Sequence, residues 1–508
     1  MPKKRSLLLL PADRPGLSQL LFFVFGCITT LGFAPFGWYL LIPLLLLPLL
    51  YVCLTLAARD AARHAFWFGF GLFLSGTYWI YISVVIYGNA PSWVALVLML
   101  GLVLIMSTYL WASGWLISRL ANGEPWLLLV VAPAAWVFIE WLRGWALSGF
   151  PWLALGYSHI DSPLAGWAPV AGVYGVSMAL VLSTTALLVA IMTRGRQQTL
   201  AIAIALLPWI AGGLLKTAVW TQPGGPPLVA TLIQGGVSQD RKWLPEQREP
   251  TMNFYRDATL RATDSAIVVW PEVAIPSVTD SVEDYIRSLE AVSRRNAQSI
   301  LFGILEREAE RNGDSKIYNS VVLVDGQRRQ VYRKRHLVPF GEYFPVPDTV
   351  REWMRMMNLP YSDLSAGADT QALLVAADGT RIAVAICYED AYGAEQLYAL
   401  PDAGLLVNVS NDAWFGESIA AHQHLQIARM RSLEVGRYAI RATNTGISAF
   451  IGPDGAILDS GPQFEPVVLQ MSVEPRTGST PYVVAGNRPV IGLCLLVVAG
   501  FWLRIRAS

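Results

Sequence analysis

Residues 381–390 form the stretch RIAVAICYED, in which an apolar run ends abruptly in Cys387 and three polar residues. A continuous apolar run of this length, bounded by polar residues, predicts a buried strand over 382–386. Buried strands that end in a functional group are how α/β enzymes present their sites. The stretch therefore predicts an α/β enzyme domain with a reactive cysteine at the end of one strand.

Two stretches on the N-terminal side carry a similar signal. The apolar run AIVV at 266–269 ends in WPE at 270–272, and a basic stretch, YRKRHLVPFGE, occupies 332–342. Each places ionisable side chains directly after or between apolar runs. These stretches supply the candidate partners of the cysteine, Glu272 and Lys334, with Glu342 as a supporting residue.

The surrounding pattern predicts one large α/β domain over 223–487, which begins at the Pro- and Gly-rich linker 223–227. Strands are predicted at 228–234, 266–270, 299–305, 320–324, 372–376, 382–386, 405–409, 447–451 and 457–459. Helices are predicted at 246–263, 281–296, 392–399 and 420–437. A domain of this size has room for two layers of strands covered by helices.

The composition of the whole chain excludes an ordinary soluble protein. The chain has 508 residues, of which 54% are hydrophobic and 15% charged, against about 25% charged in an ordinary soluble domain. Residues 226–487 carry 24 Lys and Arg against 32 Asp and Glu, a balance of −8, which leaves +9 for the rest of the +1 chain. The high hydrophobic content excludes disorder, and the net charge of +1 argues against nucleic-acid binding by bulk charge. The opposite charges of the two regions indicate two environments.

Apolar segments of the length that a bilayer requires, about 20 residues, flank the domain. They lie at 17–34, 38–56, 65–85, 93–117, 125–142, 168–192, 200–219 and 488–503. We therefore expect an α-helical membrane bundle of about eight spans, with seven in 1–222 and one in 488–508. Glu140, near the end of one segment, is expected to snorkel to the boundary, although ionisable groups in spans are also functional candidates.

The short loops predict the orientation of the spans. Eleven Lys and Arg residues fall in the two termini and in alternate short loops, whereas the opposite short loops carry Arg143 alone. By the positive-inside rule, both termini are cytoplasmic and 223–487 lies outside the cytoplasm. A transporter with an accessory domain is a second possibility, but the spans lack both the repeat and the mid-membrane charges that it predicts.

A cysteine nucleophile needs a base and an oxyanion donor. His336 lies in a basic stretch, and His422 and His424 are two residues apart, so the histidines are poor candidates. The chain contains no HExxH, GxSxG or glycine-rich phosphate loop, which excludes those zinc, serine and nucleotide sites. Glutamate and lysine remain, although taken singly Glu272 could be a solvated turn, Lys334 a solvated basic face and Cys387 a core thiol.

Taken together, these residues resemble the carbon–nitrogen hydrolase (nitrilase) superfamily, whose members use a Glu-Lys-Cys triad on an α-β-β-α sandwich. Within it, the triad combined with the spans resembles the apolipoprotein N-acyltransferase family over nearly the whole chain. The stretches that carry the resemblance are 33–36 (FAPF), 151–158, 270–272, 332–334, 340–342, 387–389 and 408–416. Triad chemistry on a small substrate would suit an amidase, but an amidase has no need of the spans.

The resemblance implies transfer of an acyl chain from a phospholipid, usually phosphatidylethanolamine, to the amine of a diacylated apolipoprotein at the bacterial inner membrane. Glu272 is then the base, Lys334 the oxyanion donor and Cys387 the nucleophile, with no metal or other cofactor. Glu342 orients the lysine and Glu389 supports the nucleophile. The residues implied to line the substrate pocket are Trp243, Tyr388 and Trp414.

The segment 344–366 carries a dense apolar set between prolines, including Trp353 and Met357. Tryptophan and methionine at such density suit a lipid surface. We expect this segment to act as a lid toward the bilayer, with Trp353 and Met357 in contact with lipid. A core-packing loop is the alternative.

Overall fold

The computed structural model describes residues 15–88, 90–309, 315–343 and 364–507, and the chain divides into two compact units. The helical unit comprises the described residues up to Ala218, together with Glu417–Gln426 and the residues from Val484 onwards. The α/β unit comprises Val219–Gly416 and Ile427–Val483. Trp353 and Met357, and nearly all of the expected lid, lie outside the described residues.

Apolar helices make up the helical unit. Pro125 occupies the first turn of its helix, where its missing N–H costs no hydrogen bond. The helices are α1 Pro15–Thr29, α2 Leu41–Thr55, α3 Ala58–Gly76, α4 Trp79–Ile82, α5 Ser92–Ala121, α6 Pro125–Arg143, α7 Ala168–Met192, α8 Arg196–Leu215 and a C-terminal helix Arg488–Ala507.

Four helices in the described part of the chain are long and apolar enough to cross a membrane, namely Ser92–Ala121, Pro125–Arg143, Pro163–Met192 and Arg196–Leu215. The pair Ala58–Gly76 and Trp79–Ile86, bent by 47°, makes a fifth if it is one span. Within the described residues, the expected spans at 17–34 and 38–56 coincide with two shorter apolar helices, Gly16–Gly32 and Leu41–Thr55. At 1.5 Å per residue these rise about 26 and 22 Å, less than the roughly 30 Å of a hydrocarbon core.

Glu140 is buried inside the helical unit, so the expectation that it snorkels is wrong. It is 6% exposed, and its Oε1 accepts a hydrogen bond from the main-chain N–H of Leu155 at 2.8 Å. Arg143, one turn later on α6, is 2% exposed and donates to the carbonyl of Trp152 at 2.7 Å. The end of α6 thus fixes the following loop through buried charged groups that bind main chain.

Within the described ranges, the α/β unit forms two large sheets. The strands are β1 Gln222–Pro223, β2 Leu228–Gln234, β3 Ile267–Val269, β4 Ile275–Val278, β5 Ser299–Ala309, β6 Ser315–Val324, β7 Arg329–Arg333, β8 Leu374–Val375, β9 Arg381–Ile386, β10 Leu405–Ser410, β11 Ala439–Thr443, β12 Ala449–Ile451, β13 Ile457–Ser460, β14 Val467–Val473 and β15 Arg476–Thr477. One large sheet has the order β13-β12-β11-β10-β9-β8, and the other has the order β14-β2-β3-β5-β6-β7 with β4 paired to β5. The helices are α9 Gln239–Lys242, α10 Pro245–Arg261, α11 Glu283–Asn296 and α12 Gly393–Gln396, together with α13 Ala420–Val435 and α14 Pro481–Ala485, whose residues 420–426 and 484–485 belong to the helical unit.

The two sheets face each other across an apolar core, and helices cover their outer faces, as expected for an α-β-β-α sandwich. Strand β3 shows the alternation, since Ile267 and Val269 point into the core that both sheets share. Val268 points the other way, into a second core with residues of α10 and α11. The strand is apolar on both faces because both are buried, as the continuous run AIVV predicts.

Several strands form through pairing with a neighbouring strand, although the apolar pattern of the sequence does not predict them. Among them, β7, β11 and β14 contain arginine, glutamine or serine, which weakens the apolar signal. The long partner strands β6, β10 and β2 form them instead, through in-register pairing over at least five residues each. Strand β7 ends at Arg333 and therefore sets the position of Lys334.

Candidate active site

The three predicted catalytic residues each follow a strand of the α/β unit. Glu272 lies shortly after β3, Lys334 directly after β7 and Cys387 directly after β9. Gly303 on β5 lets the chain around Glu272 come close, because a Cβ atom there would lie 2.7 Å from the Glu272 Cα and nearer still to its neighbours. The structure brings these side chains, from both sheets, into one site.

Lys334 lies between two carboxylates. Its Nζ is 2.8 Å from Glu342 Oε1 and 3.5 Å from Glu272 Oε1, and the lysine is 1% exposed. Asn319 on β6 bridges the same two oxygens, with its Nδ2 2.7 Å from Glu272 and 3.1 Å from Glu342. An amide and an ammonium thus hold the two acids in fixed orientations.

The charges in this cluster support one another. Burial by itself lowers the pKa of the Lys334 ammonium, but the Glu342 and Glu272 carboxylates outweigh it and hold that pKa above its ordinary value. The lysine is therefore a permanent cation at neutral pH. A fixed buried cation is suited to stabilising negative charge that develops next to it.

Cys387 is held in a sparsely populated backbone conformation. Its φ of 53° lies in the left-handed region, which costs a non-glycine residue free energy and is common at functional sites. Burial, then the charge of Glu272, raises the pKa of the thiol, whereas Lys334 and a hydrogen bond with the Ser410 hydroxyl lower it. The thiol is protonated at neutral pH, so its ionisation requires a base, and Glu272 interacts with it electrostatically.

Glu389 connects the segments that carry the cysteine and the lysine. It is 2% exposed and accepts hydrogen bonds from the main-chain N–H groups of Ile386 at 2.6 Å and Arg335 at 2.7 Å. The Tyr332 hydroxyl donates to the same carboxylate at 3.0 Å. The geometry therefore makes Glu389 an anchor between the residues that flank Cys387 and those that flank Lys334.

The predicted pocket residues that the structure describes differ in exposure. Trp243 is 50% exposed and Trp414 is 38% exposed. The Tyr388 ring is half-buried, with its centroid 5.2 Å from that of Tyr392. Exposed indoles suit contact with an amphipathic substrate.

The prediction from sequence misses two polar residues that bind Glu272. Asn319 is one of them, and it lies in the polar half of β6 just before the apolar residues 321–324, so the local sequence does not distinguish it. Lys242 is the other, since it is 3% exposed and its Nζ lies 3.2 Å from the Glu272 carbonyl oxygen. Burial lowers the pKa of Lys242 to about 8.

The histidines are engaged elsewhere. His336 Nδ1 lies 3.1 Å from Glu395 Oε1, and its ring stacks on Tyr392 at 3.6 Å. His424 belongs to the helical unit. Among the residues that the structure describes, no group of three or more His, Cys, Asp or Glu side chains could hold a metal ion.

The chain matches two families along its length. Residues 25–186 match the apolipoprotein N-acyltransferase N-terminal domain, and residues 196–482 match carbon-nitrogen hydrolase. Apolipoprotein N-acyltransferase of Methylococcus capsulatus is 40% identical over 95% of both chains. The enzyme of the same name from Azotobacter vinelandii is 42% identical over 97% of both chains. That from Vibrio cholerae is 39% identical over 95% of this chain and 96% of its own.

Solved structures similar to this chain cover about half of it. An amidase of Nesterenkonia aligns with a TM-score of 0.36 and 16% identity over 51% of this chain and 94% of its own. A carbon–nitrogen hydrolase superfamily protein of Xanthomonas campestris aligns with a TM-score of 0.36 and 17% identity, over 53% and 97%.

Proposed function

This chain belongs to the apolipoprotein N-acyltransferase family, and we propose that Cys387 carries its acyl group as a thioester. The enzyme transfers an acyl chain from a lipid donor to the N-terminal amine of a lipoprotein, a step of lipoprotein maturation. Phosphatidylethanolamine is the proposed donor and a diacylglyceryl-cysteine the proposed acceptor. The reaction proceeds in two half-reactions through one covalent intermediate.

In the first half-reaction, Glu272 takes the proton of the Cys387 thiol and the sulfur attacks the ester carbon of the phospholipid. The tetrahedral oxyanion is held by Lys334 and by main-chain N–H groups near Tyr388. The bond from carbon to the glycerol oxygen then breaks, and Glu272 returns its proton to that oxygen. Lysophospholipid leaves, and the acyl group remains on the sulfur.

In the second half-reaction, the amine of the acceptor attacks the thioester carbon and Glu272 takes the proton that the nitrogen loses. The carbon–sulfur bond breaks, an amide is released, and the proton on Glu272 returns to the sulfur of Cys387. Glu342 keeps the ammonium of Lys334 directed into the site in both steps. The distance of 2.8 Å between Lys334 Nζ and Glu342 Oε1 supports this role.

The apolar helices make this a membrane protein, and eight spans in the bacterial inner membrane are the proposed arrangement. The eleven cationic residues of the termini and alternate loops support cytoplasmic termini. The domains are then 1–222, with seven spans, 223–487 in the periplasm, and 488–508 with the eighth span. Both substrates are lipid-anchored, so an enzyme held at the outer leaflet meets them where they reside.

Trp243, Tyr388 and Trp414 are the proposed contacts of the lipid substrates within the described residues. Large, partly exposed aromatic side chains combine apolar area with a polar edge, which suits the boundary between an acyl chain and its headgroup. The exposure of the two indoles supports this assignment.

The placement of Lys334 between Glu272 and Glu342, beside the strand end that carries Cys387, is the observation on which this proposal rests. To test it, the purified full-length protein is incubated with phosphatidylethanolamine and a diacylated lipopeptide. We expect an N-acylated peptide and, without acceptor, an acyl adduct of Cys387 detectable by mass spectrometry. Hydrolysis of small amides without any lipopeptide product would favour an amidase instead.

A further inference from the structure

A fully buried arginine lies behind the loop that carries Cys387. Arg441 on β11 is 0% exposed. Its Nη2 lies 2.9 Å from Asp412 Oδ2 and its Nη1 3.5 Å from Asp390 Oδ2, while Nη1 also donates to Asn408 Oδ1. Burying a charge is costly unless it is paired, so this arrangement of one cation with two acids calls for a physical reason.

Two acids link this arginine to the cysteine. Arg441 is in register with Asn408 on β10, and Asn408 is in register with Ala385 on β9, so the three residues share the face of the sheet opposite the core between the two sheets. Strand β9 ends at Ile386, and Cys387 begins the turn that also carries Asp390. The arginine therefore reaches the segment of the nucleophile through Asp390 and the residues after β10 through Asp412.

Ser410 joins the two groups. Its hydroxyl donates to Asp412 Oδ1 at 2.8 Å and is also hydrogen-bonded to the Cys387 thiol. A hydroxyl has one proton, so Asp412 and the thiolate compete for it. The negative charge of Asp412 also opposes ionisation of the thiol and raises its pKa. An arginine paired with Asp412 weakens both effects.

We propose that Arg441 is a positioning residue for acyl transfer, which neutralises Asp412 and Asp390 and so leaves the Ser410 hydroxyl available to the Cys387 thiolate. This inference rests on the proposed role of Cys387 as the nucleophile. Lys334 is already held by Glu272 and Glu342, so it cannot serve these two acids as well. Among the residues that the structure describes, the charged groups around Cys387 are Glu272 after β3, Lys334 and Glu342 after β7, Glu389 and Asp390 in its own turn, Asp412 after β10 and Arg441 on β11.

The rate at which iodoacetamide alkylates Cys387 tests the proposal, because the reagent reacts with the thiolate and needs no lipid substrate. The full-length protein is used in detergent, and mass spectrometry of the Cys387 peptide keeps the other cysteines out of the measurement. We expect Arg441→Gln to slow alkylation at neutral pH about tenfold or more, the effect of one pKa unit. Asp412→Asn is expected to speed it, and Asp412→Asn with Arg441→Gln to return it close to the wild-type rate.

Arg437 is the matched control. It too is 0% exposed, but it donates to main-chain carbonyls, including those of Ala403 and Gly478. Arg437→Gln should lower the thermal midpoint and leave the pH profile of Cys387 alkylation unchanged. The inference is overturned if both arginine variants slow alkylation equally, or if the double variant is as slow as Arg441→Gln.

Should Arg441→Gln not accumulate as folded protein, Asp412→Asn alone decides, since alkylation no faster than wild type contradicts the proposal. The alkylation experiment can also fail or succeed independently of the proposed function. If Cys387→Ser still transferred acyl groups, the nucleophile would be misassigned, whereas the alkylation rates would still report what Arg441 does to the thiol.

Discussion

The interiors of the two units bury charge in different ways. In the helical unit, Arg143 donates to the main-chain carbonyls of Phe150 and Trp152, and Glu140 accepts from a main-chain N–H. In the α/β unit, Arg437 also donates to main-chain carbonyls, but Lys334 and Arg441 contact side-chain carboxylates. Both kinds of burial satisfy hydrogen bonds, but only the second concentrates several ionised side chains at one place.

The difference separates two tasks. A charge that binds main chain holds a loop in place and can do so at any point in the fold. A cluster of paired charges sets the protonation state and orientation of its members, which is what proton transfer and oxyanion stabilisation require. We therefore expect substitutions in the α/β cluster to change chemistry with modest effects on stability, and those in the helical unit to do the reverse.

The largest effect is expected from Cys387→Ser. The change replaces one atom and hardly alters the volume of the side chain, so the thermal midpoint should stay within about 2 °C of wild type. Transfer to a diacylated lipopeptide should fall below detection, because the serine hydroxyl is a far weaker nucleophile here. An acyl adduct formed by the variant at the wild-type rate would show that another residue carries the acyl group.

Glu272→Gln should reduce transfer by about 10²- to 10⁴-fold, the usual contribution of a general base. The amide cannot accept the thiol proton, although it preserves the shape of the side chain. The alkylation rate of Cys387 distinguishes this loss from misfolding. Because the negative charge of Glu272 raises the pKa of the thiol, its removal should speed alkylation while transfer slows, and a decrease in both rates would argue against the assigned role.

Asn319→Ala should reduce transfer about 10- to 100-fold, because it removes hydrogen bonds to two carboxylates that are each worth about 1.5–3 kcal/mol. Glu272 and Glu342 would keep Lys334 but lose their common amide donor. Steady-state kinetics should show the loss in kcat rather than in KM. An unchanged kcat would mean that Lys334 alone orients both acids.

Arg143→Gln should leave the alkylation rate of Cys387 unchanged and destabilise the protein. The arginine binds two main-chain carbonyls, and losing such bonds costs about 2–3 kcal/mol. Thermal unfolding in detergent measures this cost. If the variant instead altered the pH profile of Cys387 without a change in midpoint, the contrast between the two interiors would fail.

The smallest effect concerns wild-type protein and pH. Since burial and Glu272 raise the pKa of Cys387 above its ordinary value of 9.0, the thiolate fraction at a given pH is lower than for an exposed thiol. The alkylation rate should therefore still be rising at about pH 10.5, where a thiol with that ordinary pKa is almost fully ionised. If the alkylation rate reached a plateau below about pH 8, the charge of Lys334 would outweigh burial and Glu272 and hold the pKa of the thiol below its ordinary value.

Much of the fold follows from local pattern. Strand β2 begins and ends at the predicted residues, and β3, β9 and β10 lie within one or two residues of theirs. A fully buried strand needs apolar side chains on both faces, so it is visible in the sequence as a continuous apolar run. Charged strands such as β11 were not predicted, because pairing with β10 rather than composition forms them.

The sequence by itself identified the residue types of the site, the strand ends that carry Glu272 and Cys387, the family, and the apolar character of the flanking segments. Only the tertiary structure decided that Asn319 bridges Glu272 and Glu342, that Glu140 is buried, and that Arg441 faces Asp412. The physical reason is distance along the chain. A local run records burial, whereas a hydrogen bond between residues 47 positions apart, as for Asn319 and Glu272, depends on the register of several strands at once.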